Sequence, residues 1–192
     1  MEKELITAIA LGIGLSASAG FRVFIPLLIS GIASRLGFLE LNDSYMWLAG
    51  NTALMTLGVA TFVEIAAYYI PIVDNFLDTI TTPLAIGAGT LLLASVLPVD
   101  NELVRWVLGF FVGGGAAATV QGGTALLRLG STGTTGGMGN FAVSSGENIA
   151  SAVTSVFTLI VPLLMALIIL ISLFFIFRLL FRRKRIKTPR TN

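Results

Sequence analysis

Apolar residues fall into five long runs joined by short polar connections: Ile6–Ala33, Met46–Tyr69, Ile80–Leu97, Leu103–Leu129 and Ile149–Phe177. Each meets the roughly 20-residue length needed to cross a 30 Å hydrocarbon core, the third with Ile80 near its start. Tyr45, Trp47, Tyr68, Tyr69 and Trp106 stand at the ends of runs, where interfacial aromatics belong. The pattern predicts an all-α, polytopic transmembrane protein of about five spans. The last run is uncharged over 29 residues, about 44 Å as one helix, and is expected to tilt or to project into the cytoplasm.

The first run contains Ser16-Ala17-Ser18-Ala19-Gly20, a weak stretch for a helix. It reads either as one broken span or as two half-helices meeting at Ser16–Gly20 in a re-entrant hairpin, which raises the count to six. Broken backbone at membrane depth is tolerated where protein or water covers it. Ala17-Ser18-Ala19 has the form of a signal-peptidase site, but Glu2 and Glu4 flank the single Lys3 and make a poor leader.

Composition sharpens the class. Residues of the AVILMFWYC set make up 55% of the 192, and charged residues only 11%, against about 25% for a soluble domain. Twenty-two charges cannot cover a soluble surface, and so apolar a chain does not stay disordered. Histidine and cysteine are absent. That excludes disulfides, zinc or haem sites built on those ligands, thiol nucleophiles and Ser–His pairs, including an intramembrane serine protease at Gly14-Leu15-Ser16. No cofactor is called for.

Charge is unevenly placed. Seven basic residues, from Arg178 to Arg190, lie in the last fifteen positions, while the rest of the chain holds five bases and ten acids. The positive-inside rule puts this tail in the cytoplasm and allows contact with anionic lipid; no nucleic-acid partner is expected. Alternating five spans backward from it places the 34–45 and 98–102 connections inside, and 70–79 and 130–148 outside. The expected organisation is one transmembrane domain, residues 1–181, with a basic tail, 182–192, in the inner (plasma) membrane. A weak repeat runs at an offset of 26: Val73-Asp74-Asn75-x-Leu77 with Val99-Asp100-Asn101-x-Leu103, and Gly87-x-Gly89 with Gly113-x-Gly115. Across single spans such a repeat is inverted, as in many transporters.

Ionisable groups in or beside the spans are costly and therefore informative. Arg22 either pairs with one acid to fix the fold or holds an anionic substrate. Glu64 either serves a site or snorkels toward the Tyr68-Tyr69 interface. Asp74 and Asp78 share a face if helical, where two carboxylates suit a divalent metal or a shared proton; the alternative is an exposed interfacial loop. The Gly-rich segment 130–140 is expected to be non-helical and re-entrant, its backbone lining a path, or else a flexible external loop. Ser144-x-x-Glu147 reads as a capping box before the last helix. Gly109-x-x-x-Gly113 reads as close helix packing within the chain or at a homo-oligomer seam.

These segments also carry a resemblance. The stretch Gly14–Leu28, with Ser16, Ser18, Arg22 and Pro26, is similar to the N-terminal signature of an uncharacterised bacterial membrane family, domain-of-unknown-function family 4126. Glu64, Ile70-Pro71-x-Val73-Asp74-Asn75-x-x-Asp78, Thr82-Pro83, Thr134-Thr135-Gly136-Gly137-Met138-Gly139-Asn140, Ser144 and Glu147 fit it as well; Ala142 stands where the family usually has proline. The resemblance covers roughly residues 6–177. It implies an integral membrane protein that keeps its first segment, and it implies no activity.

The leading functional expectation is a small-solute or ion transporter or channel with a polar site in the outer half of the membrane. Its candidate residues are Ser16, Ser18, Arg22, Glu64, Asp74, Asn75, Asp78, Thr134, Thr135, Gly136, Gly137, Asn140 and Glu147. The alternatives are a non-catalytic, lipid-interacting scaffold and a Mg²⁺-dependent enzyme on a lipid phosphate, with Asp74 and Asp78 as metal ligands.

Overall fold

A computed structural model describes residues 2–184; the side chains of 71, 72, 74–76, 78 and 180–184 lie outside the description. Among the described residues the protein is all-helical. By length and apolar composition three helices qualify as membrane spans: Thr79–Val96, Glu102–Thr135 and Pro162–Leu179. Asp43–Ala49 together with Asn51–Ala67, bent by 61° at Gly50, makes a fourth if counted as one.

The first apolar run folds as a helical hairpin. Helix α1 (Glu2–Ala19) stops at Gly20, and α2 (Phe24–Arg35) returns beside it. Leu39 and Glu40, just past α2, line a surface cleft with Lys3, Thr7 and Leu11, so both ends of the hairpin lie together. Close approach at the turn needs glycine: a Cβ on Gly20 would strike Ala117 O and Val120.

A 3₁₀ segment (Asp43–Ala49) leads into α3 (Asn51–Ala67), an apolar helix whose one buried residue is Glu64. Helix α4 (Pro71–Val96) starts nine residues before Ile80, with Pro71 in the first turn, where its missing N–H costs nothing. Asp74 and Asp78 are therefore helical in backbone. α5 (Glu102–Leu108), capped by Asn101 Oδ1 accepting from Val104 N at 3.0 Å, runs through a π-helical stretch, Gly109–Gly114, into α6 (Gly115–Thr135). The two copies of the sequence repeat open the antiparallel helices α4 and α5. Gly89 and Gly113, one from each copy, abut where those rods cross: a Cβ on Gly89 would lie 2.6 Å from Gly113 O. Small residues permit such approach in lipid, where helices gain little from apolar burial.

Two expectations fail here. The Gly-rich segment is mostly helix. α6 continues through Ser131–Thr135, and a tight turn at 136–139 leads into α7 (Asn140–Ile160). Gly136 and Gly137, at φ +63° and +92°, supply the left-handed backbone this turn requires. The last apolar run is also not one span: it breaks at Val161, and α8 (Pro162–Lys184) follows. Pro162 cannot donate to the preceding turn and opens a new helix instead.

That break changes which loops lie together. α8 runs alongside α6 in the same direction: Leu170 and Leu173 lie near Val112, Ala116 and Thr119, and Ile176 lies near Gly123. The end of α8 is thus at the same end of the bundle as the 136–139 turn and the start of α4. The 36–42 connection, tied to the last turn of α4 by Asn42 N donating to Ser95 O at 2.7 Å, sits with the 97–101 connection and the start of α1 at the other. The alternation expected from five simple spans had put the tail opposite the Gly-rich connection.

Candidate functional site

The α1–α2 turn carries Arg22 into the bundle. Its side chain is fully buried, beyond the reach of snorkelling, so its charge must be met internally. Nη2 reaches Glu147 Oε2 of α7 at 3.1 Å and donates to Ser144 O at 3.2 Å; Nε donates to Asn148 Oδ1 at 2.5 Å. Arg128, buried on α6, grips the same carboxylate with Nε at 3.2 Å from Oε1 and with Nη2 against Oε2. Glu147 is thus held by two guanidiniums from two different segments. Both cations lie against Tyr68, with the Cζ of Arg22 3.7 Å and that of Arg128 4.2 Å from the ring centroid, within cation–π range.

Glu64 approaches from α3. Its Oε1 accepts from Val23 N at 2.8 Å and its Oε2 from Phe24 N at 3.1 Å. These are the leading N–H groups of α2, which have no partner within their own helix, and a carboxylate there also opposes the positive helix end. Further hydrogen bonds surround the cluster. Tyr68 OH donates to Thr81 Oγ1 at 3.0 Å, and Gln121 Nε2 donates to the same atom at 3.3 Å. Asn148 Nδ2 donates to Tyr69 OH at 3.3 Å, which pairs with Ser145 Oγ at 3.1 Å. Glu64 and Thr81 also border an apolar cleft of about 570 Å³ between α3 and α4.

Of the candidates, the structure brings together Arg22, Glu64 and Glu147. Glu64 does not snorkel; it caps α2. Glu147 is no capping residue, because α7 begins at Asn140 and Ser144 and Glu147 fall inside it. Ser16 and Ser18 spend their hydroxyls on Gly89 O (2.7 Å) and Gly14 O (2.8 Å). Thr134 and Thr135 donate back to Gly130 O and Ser131 O within α6, and Asn140 Nδ2 donates to Thr132 Oγ1. Gly136 and Gly137 shape the turn. The Gly-rich segment is therefore a helical hairpin tip rather than a wall of the charged site. Asp74, Asn75 and Asp78 lie on the first two turns of α4, and their side chains are outside the described residues.

Arg128, Tyr68, Thr81, Gln121 and Asn148 were not among the candidates. Arg128, the last residue but one of the Leu103–Leu129 run, reads from sequence as a cation at the end of a span. A signal was present: Gln121, Thr124 and Arg128 are spaced three and four apart, and all three are buried on α6.

The sequence profile of the family described as Domain of unknown function (DUF4126) matches residues 9–182. The chain belongs to the DUF4126 family. The match spans every residue of the charged cluster. Neither a curated protein nor a solved structure matches the chain.

Proposed function

We propose that this DUF4126 protein moves a small solute or ion across its membrane through the broken hairpin, with Arg22, Glu147 and Arg128 as the site that binds or gates it. The supporting observation is the cluster itself. Replacing such a triad by apolar packing often costs no stability, so two arginines and a glutamate inside an apolar bundle are better explained by work than by folding. Break points in membrane helices are where transporters build such sites. The positive-inside rule, applied to the basic tail, supports a cytoplasmic position for that end of the bundle. Among the described residues the opposite end carries only Lys3, Arg35 and the buried Arg105 as basic residues, the Lys/Arg-poor side that the positive-inside rule assigns to the exterior. The charged cluster then belongs to the cytoplasmic half, the reverse of the assignment reached from sequence alone. The same orientation sets the tail against anionic lipid, and the exposed apolar flank of α3 offers a surface for a second copy.

Orientation is tested with the cysteine-free chain. Met138 (87% exposed) and Phe38 (77% exposed) sit at opposite ends. A cysteine at 138 should react with an impermeant thiol reagent only after the membrane is opened, and one at 38 in intact cells. The reverse result overturns the orientation. Transport is tested in liposomes with Arg22→Lys, which keeps the charge but loses the fork that meets three partners. Solute flux should fall about tenfold or more, the equivalent of one charge-assisted hydrogen bond. Unchanged flux would sink the assignment of the site.

A further inference from the structure

Helix α7 is polar where it is buried and apolar where it is exposed. Its buried residues are Ser144, Glu147, Ser151, Ser155 and Thr158, while Ile149, Val153, Val156 and Ile160 face outward. Spacings of three and four put the five on one face, a stripe about 21 Å long that starts at the charged cluster and ends beside the break at Val161.

Small polar stripes can serve helix packing alone, but this one is not satisfied as packing would require. Ser151 Oγ donates to Ser18 O of α1 at 3.1 Å, and Ser155 Oγ to Ser151 O at 2.7 Å. Each of these hydroxyls has its hydrogen on a backbone carbonyl, which leaves its oxygen as an acceptor. At the two ends, Ser144 Oγ and Thr158 Oγ1 are fully buried and make no hydrogen bond. Thr158 Oγ1 is turned toward Gly14, where a Cβ would strike it. Pro162 also withholds the N–H that an unbroken helix would direct at Thr158 O. Buried orphan hydroxyls in a native fold call for an unseen partner. Those of Ser144 and Thr158 can donate or accept, but Ser151 Oγ, Ser155 Oγ and Thr158 O between them can only accept, and acceptors call for a cation rather than an anion.

We propose that the buried face of α7 is the conduction path of a small monovalent cation, with Glu147 as its charged ligand at one end and the oxygens of Thr158 at the other. This rests on the transport reading above and adds the path, the sign and the valence. The stripe holds one carboxylate among neutral oxygens, too little charge for a divalent ion, which takes several carboxylates. The described state is closed, because both oxygens of Glu147 are held by Arg22 and Arg128 and α1 packs on the stripe. Opening requires Glu147 to leave Arg22.

The full chain in liposomes, loaded by dilution into radiolabelled Na⁺, with radiolabelled chloride in parallel, tests this. Na⁺ uptake should exceed that of empty vesicles, and unlabelled K⁺ should compete. Thr158→Val, close in shape but lacking the hydroxyl, should lower Na⁺ uptake about tenfold, while Thr158→Ser should restore it. Gel filtration in detergent should show both variants as monodisperse as the parent. Should Thr158→Val misfold, Ser155→Ala takes its place in the same assay. Chloride uptake without Na⁺ uptake would leave transport standing and overturn the cation path. Na⁺ uptake indifferent to Thr158→Val and Ser155→Ala would overturn the path along α7. Uptake of neither ion would overturn this inference and count against the transport reading too.

Discussion

Glu147→Gln should melt far below the parent in detergent, with a loss of about 3–5 kcal/mol, the penalty for breaking a buried ion pair by removing one partner. The size follows from what is left behind. Arg22 and Arg128 lie against one tyrosine ring, and without the carboxylate that both share their like charges face each other across it. A glutamine amide keeps one acceptor oxygen but no charge, so it can serve one guanidinium and only weakly. Arg22→Met should destabilise less, because Glu147 keeps its contacts with Arg128. Added to Glu147→Gln, Arg22→Met should relieve part of the loss, since it removes one of the two repelling cations. The double-mutant cycle should therefore be non-additive by about 1 kcal/mol or more, as expected for residues in one charged network. Strict additivity measured by thermal melting would mean that the three residues do not act as a unit.

Much of this arrangement was legible from a simple rule. Ionisable residues inside or beside apolar runs are expensive, so Arg22 and Glu64 within their runs and Glu147 at the edge of one were candidates from the sequence. What stayed hidden has physical causes. Hydropathy follows the side chain's preference for lipid, whereas helix ends follow the backbone. α6 runs past Leu129 through Ser131–Thr135, where Thr134 and Thr135 place their hydroxyls on carbonyls one turn earlier, so their polarity is met inside the helix and requires no loop. A run that ends at Leu129 puts Arg128 at the edge of a span and hides its reach to Glu147. The reversal at Val161 was masked in the same way. Valine and proline are both apolar, so the run looks continuous, while the chain turns back at a residue with φ −134° and ψ 67°. Missing that turn put the tail and the Gly-rich connection on opposite faces, whereas α8 runs alongside α6 toward the same end of the bundle.

Glu64→Met should separate the α1–α2 turn from α3, and its cost is set by hydrogen bonds rather than by ion pairing. The two oxygens of Glu64 are the acceptors for Val23 N and Phe24 N, both at the start of a helix that has no side-chain cap of its own. Methionine matches the volume but accepts nothing of use, so each N–H is left buried at about 1–3 kcal/mol apiece. Glu64→Gln retains one carbonyl oxygen and should recover roughly half of that loss; its amide also presents donors where only acceptors fit. The comparison separates capping from charge: if Glu64 acted chiefly as a counter-ion for Arg22, Gln and Met would destabilise alike. Because α3 buries no other residue, Glu64→Met should also loosen α3 selectively. Amide exchange should rise across Asn51–Ala67 and the 20–24 turn while α4 and α6 stay protected. Uniform exchange along the whole bundle would mean that α3 is held by something other than this carboxylate.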